Sequence, residues 1–124
     1  AIAEVYKNDG NEEYKKKNFY GAIYFYTEGI GMNCKDKELN AKLYSNRAAA
    51  HLNLGNYTEA IDDSKSATDL DQSLSKAFGR GAEVCIQLKA FAEAISWCDK
   101  GLAIDPNDQK LLELRSRSER EQRK

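Results

Sequence analysis

The sequence predicts an all-α chain built from stacked helical hairpins, and three observations carry that prediction. Small residues and aromatics return in a fixed order at spacings of 38 and then 34 residues. Between those markers the apolar positions keep the 3.6-residue rhythm of a helix, as in Ala22, Ile23, Tyr26 and Ile30, and again in Ala94, Ile95, Cys98 and Leu102. A single proline, Pro106, leaves the rest of the 124 residues free to be helical.

Aligning Ala22, Ala60 and Ala94 brings four further columns into register. They are Tyr6, Tyr44 and Phe78; Gly10, Ala48 and Ala82; Phe19, Tyr57 and Phe91; and Gly29, Ala67 and Gly101. A period of 34 carrying aromatic, small, aromatic and small residues in that order is the tetratricopeptide pattern. The reason is steric: small residues sit where two helices approach closely, and aromatics fill the gaps between hairpins. The columns divide one domain, 1–124, into a first repeat over 3–40, a second over 41–74 and a third over 75–108, closed by a capping helix over 109–124. Seven helices in a right-handed superhelix are expected, with turns at Lys17-Asn18, Gly55-Asn56 and Lys89-Ala90. The four extra residues of the first repeat fall within Cys34–Glu38 and either lengthen its second helix or loosen the loop. In the capping segment, Leu111, Leu112 and Leu114 give way to polar residues up to Lys124. Its first half is therefore expected to cover the last hairpin, and its second half to project into solvent or lead into more protein.

Composition narrows the function. Nineteen basic and twenty acidic residues give a net charge of −1, so the average surface attracts neither nucleic acid nor membrane. No apolar run reaches the length of roughly 18–20 residues needed to cross a bilayer, and Ala1 to Val5 lack the pattern of a signal peptide. Cys34, Cys85 and Cys98 cannot all pair and form no C-x-x-C motif, which points to a reducing compartment: the cytoplasm, with the nucleus as an additional location. One histidine and no clustered ligands leave no metal site, and no cofactor motif is present. No nucleophile stands beside a base, so no catalytic residue is assigned and the chain reads as a monomeric binding module rather than an enzyme.

The informative residues lie outside the packing columns on the first helix of each hairpin, which line the concave side of such a stack. Lys7 and Asn11 stand four apart, Asn46 follows the Tyr44 column, and Lys76 and Arg80 again stand four apart. Three cations and two primary amides can converge on one strip, a donor set suited to a ligand carrying two carboxylates.

At these residues the chain resembles the carboxylate-clamp class of tetratricopeptide domains. That resemblance implies binding to the C-terminal Glu-Glu-Val-Asp of cytosolic heat-shock chaperones. It assigns Lys7, Asn11, Asn46, Lys76 and Arg80 to the terminal carboxylate and the last aspartate, with Tyr14 walling the pocket for an apolar side chain. Leu43–Ala50, Phe91–Asp99 and Lys110–Arg115, together with the long first repeat, are similar to the tetratricopeptide repeat protein 4 family. This implies a co-chaperone of heat-shock protein 90, with heat-shock protein 70 as second partner. Members of that family carry a further C-terminal domain, so these residues are expected to be the clamp module. The chain departs from the generic repeat where proline is usual, at Gln72 and near Cys34.

Plainer roles compete at several positions. Lysines on helices are usually solvated, Asn46 is also placed to hold backbone between hairpins, and Tyr14 is equally suited to packing. His51 shares a packing column with Glu13 and Cys85 and reads as an interhelical histidine. Gly81 allows close packing, whereas Gly79 has no packing role legible in the sequence. Two other functions fit the same fold: a scaffold gripping an internal segment of a partner, and the targeting arm of a larger enzyme.

Overall fold

The computed structural model describes residues 2–124; Ala1, the first residue of the expected domain, lies outside the described residues. Among the described residues there are seven helices and no strand. They are α1 (Ile2–Lys15), α2 (Phe19–Gly31), α3 (Lys37–Asn53), α4 (Tyr57–Leu70), α5 (Ser75–Gln87), α6 (Phe91–Ile104) and α7 (Gln109–Arg123). Consecutive helices pack in pairs, α1 on α2, α3 on α4 and α5 on α6, and α3 touches both α1 and α5. No helix is long and apolar enough to cross a membrane among the described residues.

Each hairpin turns in the same way. The second residue after the first helix enters the left-handed region at Lys17, Gly55 and Lys89, with φ of 63°, 77° and 61°. Those positions repeat the column spacing, yet only Gly55 adopts the conformation without a side-chain penalty. Asn18 then caps α2 by accepting the Gly21 N–H at 3.1 Å.

The small columns admit specific partners. A Cβ at Gly10 would stand 2.5 Å from the Tyr26 ring, one at Gly29 would meet Leu43 at 2.9 Å, and one at Gly101 would meet Leu111 at 2.6 Å. At Gly81 it would stand 2.4 Å from the Trp97 indole, so that glycine serves close packing. Gly79, without a packing role in the sequence, is buried against α7, with Leu111 3.6 Å from where its Cβ would sit. Two apolar clusters result: one around Ala22, Tyr26, Leu39 and Leu43, the other around Ala82, Cys85, Cys98 and Leu114. Burial raises the Cys85 and Cys98 thiols to about 11 each.

Two sequence expectations need correction. The four extra residues neither lengthen α2 nor loosen the loop; they form the first turn of α3, Lys37–Asn40, which α5 lacks at the matching register. Asp36 sets this start by accepting the Leu39 N–H at 3.1 Å, and Leu39 is then buried against the first hairpin. The second half of α7 does not project freely either. Ser118 is fully buried, its hydroxyl donating to Leu114 O at 2.8 Å, and Arg115 pairs with Asp99 at 2.7 Å.

The second hairpin contains an ion pair that the sequence did not reveal. Arg47 donates from Nε and Nη2 to the two oxygens of Asp63, each at 2.7 Å, and from Nη1 to Thr27 Oγ1 at 3.2 Å. Donating to the Asp63 carboxylate raises the guanidinium pKa above its ordinary value. His51 lies beside this pair, its Nε2 3.9 Å from Asp63 and its Nδ1 3.3 Å from the Asn56 amide. It is the interhelical histidine expected, and burial lowers its pKa despite the nearby carboxylate. In the matching register the first hairpin carries Asp9 and Phe25, and the third carries Gly81 and Trp97.

Candidate functional site

The first helices of the three hairpins lie side by side, and helical spacing aims one row of each at a common trough. Lys7, Asn11 and Tyr14 fall at successive turns of α1; Asn46 comes from α3; Lys76 and Arg80 come from α5, one turn apart. Asn11, Tyr14, Asn46, Lys76 and Arg80 line one pocket of about 270 Å³, together with Lys15, Tyr26 and Ala49. Lys7 lines an adjoining cleft of about 160 Å³ with Lys42, Ser45 and Leu74. Asn11, Asn46 and Lys76 border both, so the two hollows form one two-lobed trough. All six residues singled out in the sequence therefore meet there.

The charges in this trough are segregated. Lys7, Lys15, Lys42, Lys76 and Arg80 line its two lobes, and no aspartate or glutamate does. Neither Lys7 nor Lys76 forms a salt bridge among the described residues. Arg80 donates from Nη1 to Glu83 at 3.3 Å, and the same glutamate oxygen takes Lys110 of α7 at 3.2 Å. Two side-chain polar atoms are buried without a hydrogen-bond partner among the described residues, Arg80 Nε and Ser45 Oγ, and both belong to residues of the trough. Buried orphan atoms of this kind are rare and call for a specific explanation.

The amides are held by internal hydrogen bonds. Asn11 Oδ1 accepts from the Tyr26 hydroxyl at 2.6 Å and from Asn46 Nδ2 at 3.1 Å. Tyr26 is 1% exposed, and burial pushes its hydroxyl pKa well above the usual tyrosine range, so it remains a donor. Tyr14 stands at the pocket edge, fixed by an edge-on contact with Phe19, ring centroids 5.2 Å apart, and by the Asn53 amide donating to its hydroxyl at 2.9 Å. It packs and lines the pocket at once.

Sequence reasoning did not select four polar lining residues: Lys15, Tyr26, Lys42 and Ser45. Lys42 was detectable, since it precedes Lys76 by one 34-residue period. Ser45 and Lys15 carried no signal beyond adjacency to residues already chosen. Among the described residues no group of three His, Cys, Asp or Glu side chains could hold a metal ion.

Comparison with known proteins agrees with this architecture. Residues 41–74 match the family model of the tetratricopeptide repeat. The chain is 46% identical over 118 residues to tetratricopeptide repeat protein 4 of Homo sapiens, covering 95% of this chain and 30% of that protein. Its fold is similar to that of the Hsp90 co-chaperone Cns1 from Saccharomyces cerevisiae, with a TM-score of 0.93 and 36% identity over 98% of this chain and 39% of that one. It is also similar to the second tetratricopeptide domain of human RPAP3, solved in complex with the HSP70 peptide SGPTIEEVD. There the TM-score is 0.86 and the identity 31%, covering 95% of both chains. The chain thus spans between 30% and 39% of the first two relatives and nearly all of the third. Its repeat columns, its paired helices and these relatives agree: the chain belongs to the tetratricopeptide repeat family.

Proposed function

We propose that this chain is the protein–protein interaction module of a co-chaperone, and that its trough binds the C-terminal Glu-Glu-Val-Asp peptide of heat-shock protein 90, with heat-shock protein 70 as a second partner. The observation that carries the reading is the charge segregation: five cations and no carboxylate line the trough of a chain whose net charge is −1. An anion is the missing partner, and two adjoining lobes suit two carboxylates. In this reading Lys7, Asn11 and Asn46 hold the terminal carboxylate, Lys76 and Arg80 hold the last aspartate side chain, and Tyr14 walls the space for an apolar neighbour. Peptide binding by RPAP3 and the co-chaperone role named for Cns1 support the choice of ligand.

Calorimetric titration with a peptide ending in Glu-Glu-Val-Asp tests this. A short peptide held by a few ion pairs should bind near micromolar, about −8 kcal/mol, and more weakly as salt rises. Arg80→Ala should cost about 2–5 kcal/mol of that, because it leaves a desolvated carboxylate partly unpaired. Equal binding of the free acid and the C-terminal amide would exclude the clamp.

A further inference from the structure

We infer that Tyr26, a buried residue of α2, is the positioning residue that makes the trough selective for an acceptor ligand by fixing which way the Asn11 amide faces. The inference rests on the clamp reading above and adds to it a residue from the second helix of a hairpin.

A primary amide is ambiguous, since its oxygen accepts, its nitrogen donates, and the two ends have nearly the same shape. An asparagine free to rotate would welcome a donor as readily as a carboxylate. Asn11 is not free. Its Oδ1 takes the Tyr26 hydroxyl proton at 2.6 Å and an Asn46 N–H at 3.1 Å, which occupies both lone pairs. Turning the amide over would set Nδ2 against the Asn46 amide nitrogen and bring it to 2.6 Å from the tyrosine oxygen, a separation that suits O–H···O but is too short for N–H···O. What remains for a ligand is the Asn11 NH2, and Asn11 lines both lobes.

The tyrosine reaches Asn11 because of a size exchange peculiar to the first hairpin. The column holding Gly10 holds Ala48 and Ala82 in the other repeats, while the column holding Tyr26 holds Ser64 and Cys98. Only the first hairpin combines no Cβ on one helix with a large ring on the other. The Tyr26 ring lies where a Gly10 Cβ would come within 2.5 Å, and this places its hydroxyl beside the next residue, Asn11. Ser64 turns back to its own helix, donating to Ala60 O at 3.0 Å, so the second hairpin has no such link. The ring alone would fill the core; the hydroxyl, buried with Asn11 as its one hydrogen-bond partner among the described residues, is what the positioning role requires.

The test is a binding cycle on this chain with Tyr26→Phe, Asn11→Ala and the double variant, each titrated with the free-acid and the C-terminally amidated peptide ending in Glu-Glu-Val-Asp. Tyr26→Phe keeps the ring, and its melting curve checks that the core is intact. Losing one hydrogen bond of this kind is expected to weaken free-acid binding about 3- to 10-fold. It should narrow the preference for acid over amide, because the released Asn11 can then present its oxygen to the amide. In the Asn11→Ala background Tyr26→Phe should add nothing further. A second readout needs no variant: in the wild-type chain the Asn11 side-chain NH2 resonances should shift on adding the free acid and stay in place with the amide. The inference is overturned, with the clamp intact, if Asn11→Ala weakens binding while Tyr26→Phe does not. It is overturned also if Tyr26→Phe weakens acid and amide by the same factor, which is the signature of packing alone. If Asn11→Ala has no effect on the free acid, the clamp reading falls together with it.

Discussion

Replacing Asp63 with alanine should destabilise the domain far more than any change in the trough. Asp63 is 5% exposed and receives two Arg47 N–H bonds at 2.7 Å. Without the carboxylate, the guanidinium remains inside the hairpin with Thr27 Oγ1 at 3.2 Å and the Tyr44 ring 5.3 Å away. Breaking a buried pair from one side typically costs about 3–5 kcal/mol, because the surviving charge stays desolvated. Arg47 keeps 20% of its side chain exposed and can turn partly outward, which favours the lower end, about 3 kcal/mol. For a domain of this size that corresponds to a fall in Tm of roughly 10–15 °C. Thermal melts followed by far-ultraviolet circular dichroism would measure it, with urea titration giving the free energy. The third hairpin supplies a control, since it occupies the same register with Gly81 and Trp97. Arg47→Gly combined with Asp63→Trp removes both charges and should recover much of the loss, as apolar replacement of buried pairs often does. A loss below about 1 kcal/mol for Asp63→Ala, the range of an exposed pair, would refute the buried-pair account.

Three further outcomes follow from the same structure. Lys89→Gly should raise stability by about 0.5–1 kcal/mol and Gly55→Ala should lower it by about 1 kcal/mol or more, because both residues hold positive φ and only glycine does so freely; paired urea titrations would show the opposite signs. His51 has a folded-state pKa below its unfolded value, so its stabilising contribution is fully present above about 6.5 and is lost as pH falls through that value towards the folded pKa; Tm should drop between neutral pH and pH ~5, and His51→Gln should flatten that drop. Burial holds Cys85 and Cys98 at about 11, so a thiol reagent near neutral pH should label Cys34 first and reach the other two only on unfolding, which mass spectrometry of timed samples would resolve.

Much of this architecture was legible because it is local and periodic. Tyr6, Gly10, Phe19, Ala22 and Gly29 recur at fixed spacing, and steric demand at helix crossings leaves few residue types able to stand there. The trough residues were legible for the same reason, since Lys7 and Asn11, like Lys76 and Arg80, share a helix face by spacing alone. What escaped was pairing across the hairpin. Arg47 and Asp63 are separated by sixteen residues, and neither belongs to a column of its own type. Tyr26 fitted the apolar rhythm of α2, which says nothing about where its hydroxyl ends. The extra turn at Lys37–Asn40 was misplaced because the choice between loop and helix hung on one capping bond, from the Leu39 N–H to Asp36. Ser118 read as solvated because a serine that returns its proton to its own helix can be buried without a partner elsewhere.

The three hairpins share a backbone plan but fill one register with different chemistry: exposed Asp9 with half-buried Phe25, Arg47 with buried Asp63, buried Gly81 with half-buried Trp97. This bears on the order of assembly. A chain of near-identical repeats risks docking a helix on the wrong neighbour, since any first helix resembles any other. Here a mispaired hairpin is penalised at once. Setting α3 against α6 would drive Arg47 into the Trp97 indole, and setting α5 against α4 would leave Asp63 facing the bare backbone of Gly81. Each error creates a clash, a void or a lone charge that the native order avoids. The variation among repeats thus acts as a set of keys, making the linear sequence of hairpins the order in which they fit.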